Sequence, residues 1–342
     1  MTDIFKVIQT GLANEFAALA SEGITAGDVS GFLDTGSYML NAMLSGSLYG
    51  GAPDNRIGAI AGEESTGKTF FVLGICKHFL DENPDAIVVF FESESAISKK
   101  MLASRGVDTK RVLIVPVTTV QEFRFQSLKI VDNYRAMAED ERKPMLLVLD
   151  SFGMLSTSKE IEDTAAGAET KDMTRAAIAK ATFRVLTLKL GSLGVPLLVT
   201  NHTYVQMGQM YASKEMGGGG GLKFAASNII FLSRRKEKDG TDVIGHIITC
   251  TLKKGRLTKE NSKVEVKLTY DKGLDRYYGL IDLAVKYDIW KGVSTQIELA
   301  DGTKKFRKAI YKEPEKYFTK EVMEKLEKAA AKEFLYGSDI NE

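Results

Sequence analysis

The stretch Gly62-Glu63-Glu64-Ser65-Thr66-Gly67-Lys68-Thr69 matches the phosphate-binding pattern G-x-x-x-x-G-K-[ST] at every fixed position. The apolar run RIGAIA ends just before it and the segment FFVLGICKHFL begins just after it, so the loop joins a strand to a helix. Glycines let main-chain N–H groups turn inward around phosphate oxygens, and the helix N-terminus adds partial positive charge at the same place. Lys68 supplies a point charge to the β- and γ-phosphates, and the Thr69 hydroxyl suits Mg2+. Gly62 through Phe70 therefore form a candidate cradle for a nucleoside triphosphate and its metal ion.

Outward from this loop, short apolar runs alternate with helical patterns: 57–61, 68–80, 87–91, 98–105, 112–115, 119–138, 145–149, 172–190 and 195–200. β-rich runs each followed by a helix predict a mostly parallel sheet covered on both faces, a doubly wound α/β core. After residue 223 the segments 229–234, 245–253 and 263–270 follow one another without helices, which predicts an antiparallel extension of that sheet. The run Met145–Leu149 ends in Asp150 and reads as a buried strand delivering the second magnesium carboxylate. The run 87–91 ends in Glu92-Ser93-Glu94, two acids at alternate positions that point the same way on an extended segment. One of them can orient the water that attacks the γ-phosphate, and spacing does not say which.

Three units follow from this texture. Residues 1–30 hold an amphipathic helix with Ile4, Val7, Ile8, Leu12, Phe16 and Leu19 on one face, then a glycine-broken connector. That face needs a partner, either the core or a neighbouring subunit. Residues 31–272 are the nucleotide-binding core. Residues 273–342 form a small helical lobe whose ten Lys/Arg and eight Asp/Glu between Lys304 and Glu342 make a solvated face.

The chain has 342 residues, 44% of them hydrophobic and 27% charged, which is material for one large core and excludes intrinsic disorder. Two distant cysteines exclude a disulfide framework and a zinc ribbon. With no secretory leader and no long apolar run, a soluble cytoplasmic protein without membrane partners is expected. The net charge of +1 means that any contact with a polyanion must come from a local patch. One such patch lies between Arg234 and Lys267, with ten Lys/Arg against five Asp/Glu.

Taken together, GEESTGKT, FFESESAIS, LLVLDSFGML, LLVTNHTYVQMG and GGGGLKFAAS resemble, in unbroken order over about residues 30–285, the RecA/Rad51 family of recombinases, with a particular likeness to the UvsX recombinases of tailed phages. The resemblance implies a RecA-like P-loop core that uses ATP and Mg2+. It selects Glu94 over Glu92 as the catalytic base, gives Asp150 the magnesium role, and makes His202 the sensor that passes the γ-phosphate signal into a DNA-binding loop. Met101 stands where the family has a tyrosine packing on adenine, so stacking there falls to a thioether. Lys254 and Arg256 stand where the family has two lysines that reach a neighbour's γ-phosphate. Where the family has an acidic C-terminal tail, Lys and Glu alternate here, so autoinhibition by such a tail is not expected.

Residues 156–171 and 203–221 read as long connections, and such connections in a compact core are usually functional. The second contains Met207, Gly208, Met210, Tyr211 and Lys214, then Gly218, Gly219 and Gly220 in a glycine run. Glycines allow close approach to phosphates, and Met and Tyr offer faces that stack on bases without reading sequence. Lys171 and Arg175, at the end of the first connection, complete the candidate DNA-binding set. The function implied is an ATP-dependent strand-exchange recombinase. It would form helical filaments on single-stranded DNA and pair it with homologous double-stranded DNA, with a single-stranded-DNA-binding protein and a recombination mediator as further partners. A ring helicase motor and a non-hydrolysing loading paralogue are the alternatives.

Overall fold

In a computed structural model, residues 2–10, 12, 19–24, 27–167, 174–205, 214–271 and 273–337 are described. The chain opens with helix α1 (Thr2–Thr10), strand β1 (Phe32–Leu33), helix α2 (Tyr38–Ser45) and strand β2 (Ala52–Pro53), the two strands pairing as a small ribbon. The repeating core follows as β3 (Ile57–Gly62), α3 (Lys68–Glu82), β4 (Ile87–Glu92), α4 (Lys99–Ser104), β5 (Val112–Pro116), α5 (Val120–Ala136) and β6 (Met145–Asp150). It continues through α6 (Ser158–Ala165), α7 (Arg175–Leu193), β7 (Leu197–Val205), β8 (Lys214–Met216) and α8 (Gly220–Ala225). Then come β9 (Asn228–Asp239), β10 (Asp242–Gly255), β11 (Lys263–Thr269) and β12 (Gly273–Leu274). The C-terminal lobe holds α9 (Leu280–Lys286), β13 (Lys291–Val293), β14 (Gln296–Glu298), β15 (Lys304–Phe306), α10 (Arg307–Lys312), α11 (Pro314–Tyr317) and α12 (Lys320–Phe334).

A ten-stranded sheet runs β12-β11-β10-β9-β3-β7-β6-β4-β5, with β8 paired beside β7. Every pair from β9 through β5 is parallel, and the β9-β10-β11-β12 side is antiparallel, as the sequence texture implied. Alternate residues of the buried strands serve opposite faces. Val88 and Phe90 of β4, with Leu146 and Val148 of β6, face the cluster that includes α3. Val89 and Phe91, with Leu147 and Leu149, face the cluster of α5 and α7. The first cluster continues without a break into Trp290, Phe318 and Leu326 of the lobe, so the lobe shares the core it covers.

Local signals fix the ends of the helices. Thr119 and Glu122 close a capping box at the start of α5, and Gly194 takes the left-handed conformation that stops α7. The connection 156–171 is not a bare loop: it contains α6, whose own capping box is Thr157 with Glu160. The second connection is likewise shortened, because β7 runs to Val205 and β8 and α8 occupy its far end. No helix among the described residues is long and apolar enough to cross a membrane.

Phe123 of α5 is fully buried and meets Phe91 of β4 edge-to-face with ring centroids 5.1 Å apart. Phe123→Ala is expected to lower the unfolding free energy by about 3–5 kcal/mol, read as a shift of the urea midpoint at unchanged slope.

Candidate functional site

The phosphate loop leaves β3 at Gly62 and enters α3 at Lys68. A Cβ on Gly62 would lie 2.5 Å from the Thr66 hydroxyl and 3.2 Å from the Leu232 carbonyl, and Gly67 has φ +91°, so both glycines of the pattern are required by space or conformation. Lys68 is buried, and its Nζ donates to the carbonyls of Gly62 and Glu63 at 3.1 and 3.0 Å. Burial pushes its pKa down, while Glu94, Asp150 and Glu64 pull it back up. The Lys68 ammonium, held inside the loop by two carbonyls, fits a ligand carrying several phosphates, whereas the three carboxylates around it call for a cation to accompany such a ligand.

Strand order brings the second half of the site together. β7 lies between β3 and β6, so Asp150 at the end of β6 reaches across it. Asp150 Oδ2 accepts from the Thr69 hydroxyl at 2.7 Å, and Oδ1 accepts from the Thr200 hydroxyl of β7. Burial raises the Asp150 carboxyl above its ordinary value, and the two hydroxyls act in the opposite direction. Thr69 and Asp150 offer the hard oxygen pair that Mg2+ prefers, with water and phosphate oxygens filling the remaining positions. Among the described residues no three His, Cys, Asp or Glu side chains cluster as a metal site of their own.

The alternate spacing of Glu92 and Glu94 does not survive the end of β4. Glu92 turns inward, where its Oε1 accepts from the main-chain N–H groups of Glu94 and Ala96 at 3.1 and 2.8 Å, and Ser95 takes φ +54°. The turn so formed aims Glu94 elsewhere. Its Oε1 accepts from the Ser151 hydroxyl at 2.5 Å and lies 3.2 Å from His202 Nε2. His202 sits in register with Gly62 of the neighbouring strand. Beyond it, Asn201 Nδ2 donates to the Gly217 carbonyl at 2.8 Å and Gly217 N–H donates to the His202 carbonyl at 3.0 Å. The candidate base, the candidate sensor and the far side of the second connection are thus in one hydrogen-bonded chain.

Nearby, a cavity of about 240 Å3 is lined by Phe70, Ser104, Arg105, His78, Asp271 and Leu274, among others. Arg105 lies over the Phe70 ring, 4.0 Å from its centroid. Met101, one turn earlier on α4, packs against the core and does not line the cavity. Arg105 was missed because a cation next to Gly106 carries no pattern of its own; its partner Phe70 sits in a different segment. Ser151, Thr200 and the inward role of Glu92 were missed for the same reason.

The candidate DNA-binding residues fall in three groups. Lys171, Met207, Gly208, Met210 and Tyr211 lie outside the described residues. Arg175 Nη2 donates to the carbonyls of Phe152 and Gly153 at 3.2 and 3.1 Å, tying α7 to the turn after β6. Lys214 pairs with Glu63 at 2.7 Å. Gly218, with φ +85°, is pressed against Phe152, where a Cβ would lie 2.3 Å from the ring; Gly219 and Gly220 lie against Ala176 and Phe224. These glycines serve close packing of the segment onto α7 and α8.

Lys254 and Arg256 stand apart from all of this. Lys254 is opposite Ile229 of β9, which is opposite Ala59 of β3, about 10 Å below the start of the phosphate loop at 3.3 Å per residue. Lys254 Nζ donates to the carbonyls of Lys223 and Phe224 at 2.9 and 3.0 Å, capping α8. Burial first, and Arg256 second, lower its pKa. Lys254 Nζ is thus held at α8 and not at its own phosphate loop, and Arg256 acts on Lys254 and Arg56 as a neighbouring charge.

Fold and site together define a P-loop nucleotide-binding protein of the doubly wound α/β class. A family model described as the RecA N-terminal domain matches residues 19–275, and the chain belongs to that family. It is 32% identical over 248 residues to the recombination and repair protein of Enterobacteria phage T4, an alignment covering 72% of this chain and 62% of that protein. It is 28% identical over 306 residues to Protein RecA of Salinispora arenicola, covering 85% of this chain and 82% of the relative. Against Protein RecA of Kineococcus radiotolerans the identity is 30% over 262 residues, with 75% and 70% covered. The chain therefore spans 62% of the length of the phage T4 relative.

The raised Asp150 carboxyl generates a pH prediction. A carboxyl whose folded value is raised contributes stability that is present below its unfolded value and lost as pH rises through the folded value. Asp150→Asn removes that loss. The variant is expected to melt a few degrees higher than the parent at about pH 7.5 without nucleotide, with the gap closing toward about pH 4, while Mg2+-dependent nucleotide binding is lost. Scanning calorimetry across pH checks this; a gap that widens on acidification contradicts it.

Proposed function

We propose that the protein is a DNA-stimulated ATPase that assembles a helical filament on single-stranded DNA, pairs it with homologous duplex DNA and promotes strand exchange. Family membership and the names of the relatives support recombination and repair as the setting. The observation that carries the reading is the 3.2 Å contact between Glu94 and His202, which joins the hydrolytic side of the phosphate loop to the segment leading into the second connection.

In this reading the N–H groups of Gly62–Thr69 and the Lys68 ammonium hold the triphosphate of ATP. Thr69 and Asp150 would hold Mg2+, which would supply charge neutralisation for the phosphates. Glu94 orients the attacking water and takes its proton, with Ser151 fixing the carboxylate by its hydrogen bond. His202 senses the γ-phosphate through Glu94 and transmits it along β7 to residues 203–221, which hold DNA by stacking and phosphate contact. Phe70 and Arg105 border the base together with Met101, one turn before Arg105.

Lys254 and Arg256 act on a neighbouring protomer. Lys254 is engaged at α8 and not at its own phosphate loop, and a cation reaching in trans makes hydrolysis depend on assembly. Helix α1 supports assembly from the other end, since Ile4, Val7 and Ile8 are all more than half exposed at 64%, 71% and 56%. An apolar face of that kind is covered by a neighbour in a filament. A single-stranded-DNA-binding protein and a recombination mediator are further partners, and the cytoplasm of an infected bacterial host is the setting.

Two experiments test this reading. Glu94→Gln should keep ATP and DNA binding while turnover falls about 100- to 10000-fold, whereas Lys68→Ala should lose ATP-dependent assembly altogether. Near-normal hydrolysis by Glu94→Gln with DNA present removes the base assignment. Lys254→Ala or Arg256→Ala should lower DNA-stimulated hydrolysis about 1000-fold or more with nucleotide binding by isolated protomers retained. Mixing either with Lys68→Ala, which has a defective pocket and an intact pair of cations, should partly restore turnover; no restoration at any ratio contradicts action in trans.

A further inference from the structure

β4 and β6 stay paired as far as Glu92 opposite Asp150, and there their ladder ends. One residue further on, the Ser93 N–H still donates to the Asp150 carbonyl at 3.0 Å, and the Ser93 side chain takes over what the strand no longer supplies. Its hydroxyl donates to the Ser151 carbonyl at 2.8 Å and accepts from the Ser151 N–H at 2.9 Å. Ser151 is fully buried, so its main-chain groups need partners inside the protein. The carbonyl has a second, longer one in the Met154 N–H at 3.3 Å, and the N–H has the Ser93 hydroxyl.

Ser151 in turn holds a carboxylate. Its hydroxyl donates to Glu94 Oε1 at 2.5 Å, the same oxygen that lies 3.2 Å from His202 Nε2. Both contacts use one oxygen, which leaves the other for the attacking water. Glu92 fixes the main chain of Glu94 through its N–H at 3.1 Å, but that contact does not set the direction of the Glu94 side chain. The side chain is 29% exposed on a turn, where rotamers are free unless a partner selects one. Ser151 is such a partner, and Ser93 reaches the carboxylate through it.

We propose that Ser93 is a positioning residue for ATP hydrolysis: by clamping both main-chain groups of Ser151 it fixes the Ser151 hydroxyl, and through that hydroxyl the Glu94 carboxylate, at the end of β6. This rests on the reading of Glu94 as the base. A residue acting in this way serves the step that moves the proton and leaves nucleotide binding alone, because Lys68, Thr69 and the Asp150 carboxylate have partners of their own. A misplacement of about 1 Å in a catalytic group can cost about 100-fold in rate. Loss of the clamp leaves Glu92, His202 and the Ser151 hydroxyl in the protein, so a smaller loss of about five- to thirtyfold is expected.

Steady-state ATP hydrolysis with single-stranded DNA, measured beside the binding of a fluorescent ATP analogue, tests the proposal. Ser93→Ala should lower kcat about five- to thirtyfold while KM and the affinity for the analogue stay within about twofold of the parent. Ser93→Thr, which keeps the hydroxyl, should recover most of that loss. Ser151→Ala should lower kcat at least as much, and on that background Ser93→Ala should add less than about twofold. Parental kcat in Ser93→Ala, an equal loss with and without the Ser151 hydroxyl, or a loss matched by weaker nucleotide binding overturns the clamp. If Ser93→Ala does not fold, Ser151→Ala carries the test, since parental kcat in that variant breaks the path from Ser93 to Glu94. Glu94→Gln separates the two readings. Near-parental hydrolysis by it removes the base and the clamp together, whereas an inactive Glu94→Gln beside a fully active Ser93→Ala removes the clamp alone.

Discussion

Asp150 accepts hydrogen bonds from Thr69 and Thr200, and the rest of the site depends on that arrangement. A buried carboxylate is costly unless its lone pairs are used, and here they bind the first turn of α3 and the middle of β7 to the end of β6. Three segments far apart in sequence are thereby fixed at one point of the sheet. The phosphate loop gains a rigid wall, and His202, two residues beyond Thr200, is carried to the level of Gly62. The desolvation that raises the Asp150 carboxyl is also what gives a divalent cation a reason to bind there.

The sheet gives this site a direction. Phosphate loop, Asp150, Glu94 and His202 gather at the C-terminal ends of the parallel strands, the usual place for ligands in open α/β sheets. Lys254 and Arg256 belong to the opposite part, where β10 runs antiparallel beside the start of β9. With the phosphate site at one end of the strands and Lys254 and Arg256 toward the other, the proposed assembly would be head-to-tail, and heterologous contacts that do not close produce helical filaments. Lys254 meanwhile caps α8, the helix that follows the glycine segment, so in the proposed filament the same lysine would link assembly to the segment bearing Lys214.

The parts of this picture that could be read from sequence are those written in contiguous residues. The phosphate loop follows from fixed spacing plus a strand before and a helix after, and Asp150 follows from an apolar run that ends in a carboxylate. Glu92 and Glu94 could not be told apart, because the rule of alternate faces holds only while the strand continues, and Glu92 ends it by capping the next turn. Helix α6 was legible and overlooked: Thr157 followed by Glu160 is a capping box. The pairs Arg105–Phe70 and Lys214–Glu63 were out of reach, since each joins segments whose proximity is decided by strand order. The glycines at 218–220 were read for their freedom, and the fold uses it at Gly218 and Gly219, whose φ values are +85° and +79°; it also uses the missing side chains for close packing against Phe152, Ala176 and Phe224.

In the proposed filament the nucleotide lies between protomers, bound by the phosphate loop of one and approached by Lys254 and Arg256 of the next. Electron cryomicroscopy of the protein on single-stranded DNA with a non-hydrolysable ATP analogue addresses it directly. The expected result is an open helical filament in which both side chains have left their own protomer's surface and lie against the neighbour's γ-phosphate. Closed rings, or a filament in which Lys254 still caps its own α8 and the γ-phosphate has no cation from the adjacent subunit, would contradict it.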